Sequence, residues 1–498
     1  MPATKLKYII TALLAATFAT ASAQEIGYRI ESATTAANND TPPTWHLSNR
    51  QGVAGCEAQF SYTRAGIAGA GFNVGNFGID WGADIIAGDG LTSTIYFQQA
   101  FADINWKMFT LSLGQKERWG ELKNYRLSTG GLTESGNARP IPQVRIEVPR
   151  YYDFFNTGGW FTLRGHLAYG WFTDGEWQKD WVATGKSHTT GVRYHSKAVF
   201  FKIGKEERLP LTYEFGLQMV AQFGGTAYNA NNIPGKYIHN PCRVKDYFTA
   251  LIPLKGDSKY TGTDRLNVAG NQLGSWHAAL TWDDKKWNTR AYYEHVFDDH
   301  SQMFLEYGLW TEQLVGIELT LKEGRWVKNI AVEYYNLKNQ SGPVYHDTTN
   351  EIPDQISCRD NNYNHEIYTG WFNYGLTIGT PLATSPIYNS DSNSDRAIIC
   401  YNNRVEAFHL GIEGEPASCI GYRLLLTHSH NWGTYKAPFT TIKGNTAGLV
   451  EFTYKPSQIG GWNFTASYAF DNGTLLGNNR SIMFCISKKG LLNIDKKK

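Results

Sequence analysis

Apolar and polar residues alternate one for one along much of this chain, in runs suited to tilted strands of about 9–11 residues crossing a bilayer. Over 161–171, Phe161, Leu163, Leu167, Tyr169 and Trp171 share one face, against Thr162, Arg164 and His166 on the other. The same dyad sets Tyr213, Phe215, Leu217 and Met219 against Thr212, Glu214 and Gln218. It sets Val315, Ile317, Leu319 and Leu321 against Glu318, Thr320 and Lys322, and Phe408, Leu410 and Ile412 against His409 and Glu413. Successive strand side chains point to opposite faces, so each run has one apolar and one wet side. A soluble sandwich alternates too, and the connections separate the two readings.

Short turns join 276–283 to 287–297, 315–322 to 326–336, 406–413 to 419–430, and 447–455 to 462–471. Between these hairpins lie long polar stretches near 224–272, 338–363, 379–403 and 431–445. Alternating short and long links divide periplasmic turns from surface loops in outer-membrane barrels. The expected fold is therefore all-β, a transmembrane antiparallel barrel. Seventeen strands can be counted after Gly52, and the alternation breaks once, between 371–378 and 406–413. One more strand there would make eighteen and put both termini on the periplasmic side.

Residues 117–158 stand out as an inserted segment. Within it Gly130, Gly131 and Gly136 permit unusual backbone angles, and Pro140 and Pro142 each remove a ladder donor. Only Val144, Ile146 and Val148 alternate like a strand. The strand count puts this segment on the short-turn side.

The string from Ser128 to Val148, STGGLTESGNARPIPQVRIEV, resembles a hallmark of the Wzi family of outer-membrane capsule-assembly proteins. It carries Ser135, Gly136, Asn137, Arg139 and Pro140. Further similar blocks are GNQLGS from Gly270, YYEHVFDD with Glu294 and His295, EYY from Glu333 with QSGP from Gln340, and NNYNHEIYTGW with Asn364. The resemblance implies a barrel of about eighteen strands with some helical or irregular structure on the periplasmic side. It also implies lectin-like, non-catalytic attachment of capsular or related exported polysaccharide. The chain departs from the family at His300-Ser301-Gln302, and it ends without a terminal aromatic.

Composition adjusts this picture in three places. Lys5 and Lys7, an apolar run and Ala21-Ser22-Ala23 have the order of a secretory signal peptide over 1–23. Sixteen Trp, 29 Tyr, 25 Phe and 50 Gly suit a barrel, whose polar lumen side lowers the mean hydropathy to −0.40. A net charge of +2 gives no case for nucleic acid. The expected partners are polysaccharide and outer-membrane lipid, with the chain acting as a monomer and no cofactor. Of the six cysteines, Cys242, Cys358 and Cys400 lie in loop-like sequence and could pair.

Candidate chemistry is sparse. Glu294 and His295 point to opposite strand faces, so they do not share a site directly. His428 and His430 do share a face, without a third metal ligand at recognisable spacing. No phosphate loop, HExxH or GxSxG is present. Sugar binding needs flat apolar faces beside hydrogen-bonding groups. The candidates are Tyr228, Tyr237, Tyr345, Tyr363, His365, Tyr388 and Trp432, each beside Asn or His in a long connection. Interfacial aromatic girdles place rings near loop bases as well. The competing reading is a diffusion channel, with lumen charges Arg164, Arg290, Glu214 and Glu318 setting selectivity.

Overall fold

The computed structural model describes residues 26–55, 57–260, 268–298, 303–305, 308–340, 360–389 and 396–492. The expected leader and Tyr345 lie outside the described residues. Eighteen strands form one sheet: β1 Ile26–Ala37, β2 Ser61–Val74, β3 Phe77–Asp89, β4 Ile95–Trp106, β5 Phe109–Gln115, β6 Gln143–Tyr152, β7 Phe161–Trp171, β8 Arg193–Ile203 and β9 Leu211–Phe223, followed by β10 Asn271–Asp283, β11 Trp287–Asp298, β12 Gln313–Leu321, β13 Asn329–Asn336, β14 Val405–Ala417, β15 Ile420–Gly433, β16 Pro438–Tyr454, β17 Trp462–Gly473 and β18 Asn479–Leu492. Each strand pairs antiparallel with its neighbours in sequence. Ile26 faces both Gly69 and Leu492, so β1 closes the sheet onto β18. Closure leaves no strand edge unpaired in lipid, where each orphan N–H or C=O is costly.

The dyad pattern decides which way each side chain points. Ile317, Val332, Phe408, Phe452 and Phe484 are exposed on the outside, while Glu333, His409 and Glu451 are buried within. Exposed Trp106, Trp160, Trp282, Trp287 and Trp326 cluster at the short-turn end. That is an aromatic girdle at one interface.

Two details of the strand reading change. The eighteenth strand is β1, ahead of Gly52, and 371–378 is not in the wall. Phe372–Asn373 and Leu376–Thr377 pair only with each other, through Tyr374 and Gly375, both at positive φ. This is a two-residue hairpin turn of the kind needing left-handed backbone at both positions. Without a wall strand there, the short/long alternation has no break.

The strand path also moves the inserted segment. Residues 116–142 join β5 to β6 at the long-connection end, and 143–152 is itself wall strand. The helices Thr44–Leu47, Gly175–Trp181 and Val244–Leu251 lie in connections at that same end, opposite the periplasmic side that the family resemblance implies.

Ile317 lies mid-strand on the lipid face, so Ile317→Arg should cost about 2–4 kcal/mol of barrel stability. Reversible denaturant unfolding in phospholipid vesicles measures this.

Candidate functional site

Residues 116–142 leave the rim and run down inside the barrel. A segment without regular structure carries backbone groups that need partners when buried, and wall carboxylates supply many of them. Glu294 on β11 accepts the Leu132 N–H at 2.8 Å and pairs with Lys123. Glu333 on β13 accepts the Thr129 N–H at 2.7 Å and the Ser128 hydroxyl at 2.5 Å. Glu318 on β12 accepts the Asn124 N–H at 2.5 Å, and Glu413 on β14 accepts Arg126 Nε at 2.6 Å. The Leu127 carbonyl lies 2.6 Å from His409 Nε2. A Cβ at Gly411 would sit 2.6 Å from that same carbonyl oxygen, so only glycine lets the segment lie against β14.

The other flank is held equally. Glu134 accepts from Tyr194 on β8 and from Gln218 on β9, and Glu121 pairs with Arg164 on β7 at 2.6 Å. The 38–60 connection fills the remaining arc. Thr44 donates its backbone N–H to Asp471 at 2.8 Å, and Gln98 on β4 donates to the Gln51 carbonyl at 2.9 Å. Gln51 also donates to the Arg118 carbonyl at 2.6 Å, tying the two inserts together. Toward the short-turn end a cavity of about 420 Å³ remains, lined by Arg126, Lys328, Glu413, Glu415, Lys455 and Lys489 among others. A second cavity of about 330 Å³ shares Arg126 and Glu451 with it.

The family-motif residues build this plug and its lid. Ser135 donates to the Gly379 carbonyl at 2.6 Å, and Asn137 donates to the Thr377 carbonyl at 2.9 Å. A Cβ at Gly136 would lie 2.3 Å from the Trp119 ring. The Arg139 guanidinium is held between the Tyr96 and Tyr374 rings, 3.5 and 3.7 Å from their centroids. Pro140 lines a small crevice beside it. Asn364 donates to the Cys400 carbonyl and accepts its N–H, both at 2.8 Å. The lid hairpin is pinned by Asp174, which accepts the Tyr374 N–H at 3.0 Å; burial pushes its carboxyl up to about 6.

No family model matches the chain, and no curated protein matches it in sequence. Among solved structures, Wzi of Escherichia coli, an outer-membrane carbohydrate-binding β-barrel involved in group 1 capsule assembly, aligns over 92% of this chain and 83% of its own, with TM-score 0.56 and 12% identity. OccK3 of Pseudomonas aeruginosa aligns over 94% and 96%, with TM-score 0.46 and 10% identity. The chain is an outer-membrane β-barrel. Its long-connection end therefore faces outside the cell.

On that outer face, two of the aromatic candidates meet. The strands His188–Thr190, Thr226–Tyr228 and Tyr237–His239 form a small sheet in which Tyr228 lies opposite both His188 and Tyr237. Opposed residues share a face. The His188 ring accordingly stacks on Tyr228 with centroids 5.0 Å apart, and Tyr237 meets Tyr228 edge-on at 5.5 Å. Both tyrosines are exposed.

The remaining candidates are elsewhere. Tyr363 is buried at positive φ, and its hydroxyl donates to the Leu132 carbonyl at 2.6 Å, so no face is open to a sugar. His365 accepts the Ile367 N–H at 3.0 Å, and burial pushes its pKa down to about 4. Tyr388 lies in a crevice with Thr44 and Leu475. Trp432 stands at the rim of β15, its ring 5.4 Å from the Lys338 ammonium. Glu294 and His295 do point apart: His295 contacts the Thr311 carbonyl at 3.0 Å outside the wall. Among the described residues no cluster of metal ligands occurs, and His428 and His430 form an exposed outward pair. Cys242 and Cys400 are free thiols; Cys358 is outside the described residues.

The sequence reading missed His188, and it named Glu294 as a motif residue and Glu318 as a lumen charge without assigning either as an anchor. The anchors had a signal, since Glu294, Glu318, Glu333, Glu413 and Glu451 all fall on lumen-side positions of alternating runs. His188 had none.

Removing one partner of a buried ion pair costs about 3–5 kcal/mol. Glu294→Ala should therefore loosen the plug, seen as faster hydrogen exchange across 121–134 with the wall strands unchanged.

Proposed function

We propose that this protein holds capsular or related exported polysaccharide at the cell surface through its outer face, without performing chemistry. The observation that carries the reading is the filled lumen. Inserts from two connections span it and are hydrogen-bonded to both flanks of the wall. Three of the four charges a channel would use for selectivity, Arg164, Arg290 and Glu318, are already engaged. Arg164 pairs with Glu121, and Glu318 accepts the Asn124 N–H and lies 3.9 Å from Arg290. A barrel whose lumen is spanned by anchored inserts suits a holder better than a conduit.

The Tyr228–Tyr237–His188 platform has the parts a sugar ring requires. Its aromatic faces can take C–H surfaces, and neighbouring imidazole and amide groups can take hydroxyls. The sequence resemblance to the Wzi family and the shared fold with a carbohydrate-binding barrel agree with this assignment.

The test pairs conductance with glycan retention. Purified protein in planar bilayers should show no stable open-channel steps. Cells carrying Tyr228→Ala with Tyr237→Ala should shed polysaccharide into the medium while the barrel keeps its heat-modifiable mobility in gels. Arg164→Gln should leave retention intact. Steady conductance altered by Arg164→Gln, with glycan retention unchanged in the tyrosine variant, would establish the channel reading instead.

A further inference from the structure

Described parts of two outer connections lie down on the outside of the wall. The helix Val244–Leu251 packs its Tyr247 and Ala250 face against outward residues of β7 to β9. The Tyr247 ring meets Tyr169 at 5.3 Å and Phe223 at 4.9 Å, and the Tyr169 hydroxyl donates to the Tyr247 carbonyl at 2.8 Å. Lys197, on the lipid side of β8, donates to the Leu251 carbonyl at 2.5 Å and the Ala250 carbonyl at 3.2 Å. An ammonium on a lipid-facing wall is costly without partners, and the C-terminal carbonyls of a helix suit a cation.

Next to it, residues 303–305 and 308–312 cover outward residues of β10, β11 and β13. Trp276 donates its indole N–H to the Met303 carbonyl at 2.8 Å, and Tyr293 donates to the Leu309 carbonyl at 2.7 Å. Asn336 reaches the Trp310 carbonyl at 3.2 Å. These two segments thus bury the polar groups that β8, β11 and β13 place on the outer wall. Yet their own far sides are apolar. Val244, Phe248 and Ile252, spaced four apart along one helix face, are 77, 62 and 58% exposed, and Trp310 is 72% exposed.

We propose that these segments form a collar immersed in the outer leaflet, with Val244, Phe248, Ile252, Leu309 and Trp310 among the lipid acyl chains. The argument is continuity. The stripe extends outward from a wall whose surrounding medium is hydrocarbon, and exposed Val199 and Trp171 on β8 and β7 lie on the same face. An amphipathic helix lying in the interface plane buries such a stripe about 5–10 Å into the headgroup and acyl boundary. Lys255 flanks the stripe, where its ammonium group can reach headgroup phosphates, while Lys245 pairs with Asp257 at 2.5 Å. The collar widens the lipid contact on one side of the barrel, and it stands independently of the glycan reading.

The full-length protein, reconstituted in phosphatidylcholine vesicles containing a phosphatidylcholine with an acyl-chain diazirine, is irradiated and its adducts are mapped by tandem mass spectrometry. Adducts are expected on 244–254 and 308–312 as well as on outward wall residues, with none on Tyr228 or Tyr237. A variant with Val244, Phe248 and Ile252 all changed to Ser should lose the adducts on 244–254 and keep those on β12 and β16, which report an intact barrel. Adducts confined to the wall, adducts on 244–254 that persist in the variant, or cross-links from the collar to a second copy would each overturn the proposal.

Discussion

A polar backbone placed inside a barrel must find partners for its N–H and C=O groups, and that constraint organises this molecule. Residues 116–142 contribute no strand to the sheet, so their hydrogen bonds cannot come from a ladder. The wall provides carboxylates instead, on successive strands and at staggered heights. A carboxylate can accept several donors at once, which is why Glu294 serves Lys123, Leu132 and Thr133 together. The small residues of 128–137 follow from the same demand, because bulky side chains would hold the backbone away from its acceptors.

Burying so much charge is tolerable because it is paired. Glu451 is shared by Arg126 and Arg423, and Asp84 by Arg29 and Arg64. Charges of both signs therefore meet within the lumen in place of a uniform field, which gives little for a permeating ion to follow. Outside, polarity is handled differently. The outer wall carries few charges, and Lys197 among them is covered by another segment.

The alternation of Phe161 to Trp171 and its counterparts made the barrel legible, since a strand wet on one side and greasy on the other has few homes. The number of strands was legible too, although for partly mistaken reasons. Residues 371–378 alternate well enough to pass for a wall strand, and only the positive φ at Tyr374 and Gly375 shows why they turn back on themselves. The Ser135-to-Pro140 motif marked an exceptional segment but not its side, because parity propagates through every miscounted strand. The platform was half legible. Tyr228 and Tyr237 could be suspected from their polar neighbours, whereas their convergence with His188 depends on a register between three distant pieces of chain. Tyr363 looked the same in sequence and turned out to be interior.

The plug sits between β5 and β6, yet most of its anchors come much later in the chain. Leu132 waits 162 residues for Glu294, and Arg126 waits 287 for Glu413. Contacts of such separation form slowly, since loop closure has to precede the bonds that reward it. While the first half of the wall is being laid down, the segment has only the flank formed by Arg164, Tyr194 and Gln218 to rest on. Its second flank can dock only once β11 to β16 exist, at about the moment β18 meets β1. Closure of the wall and completion of its interior are then coupled, and a barrel halted before its last strands would be both open-edged and held on one flank only.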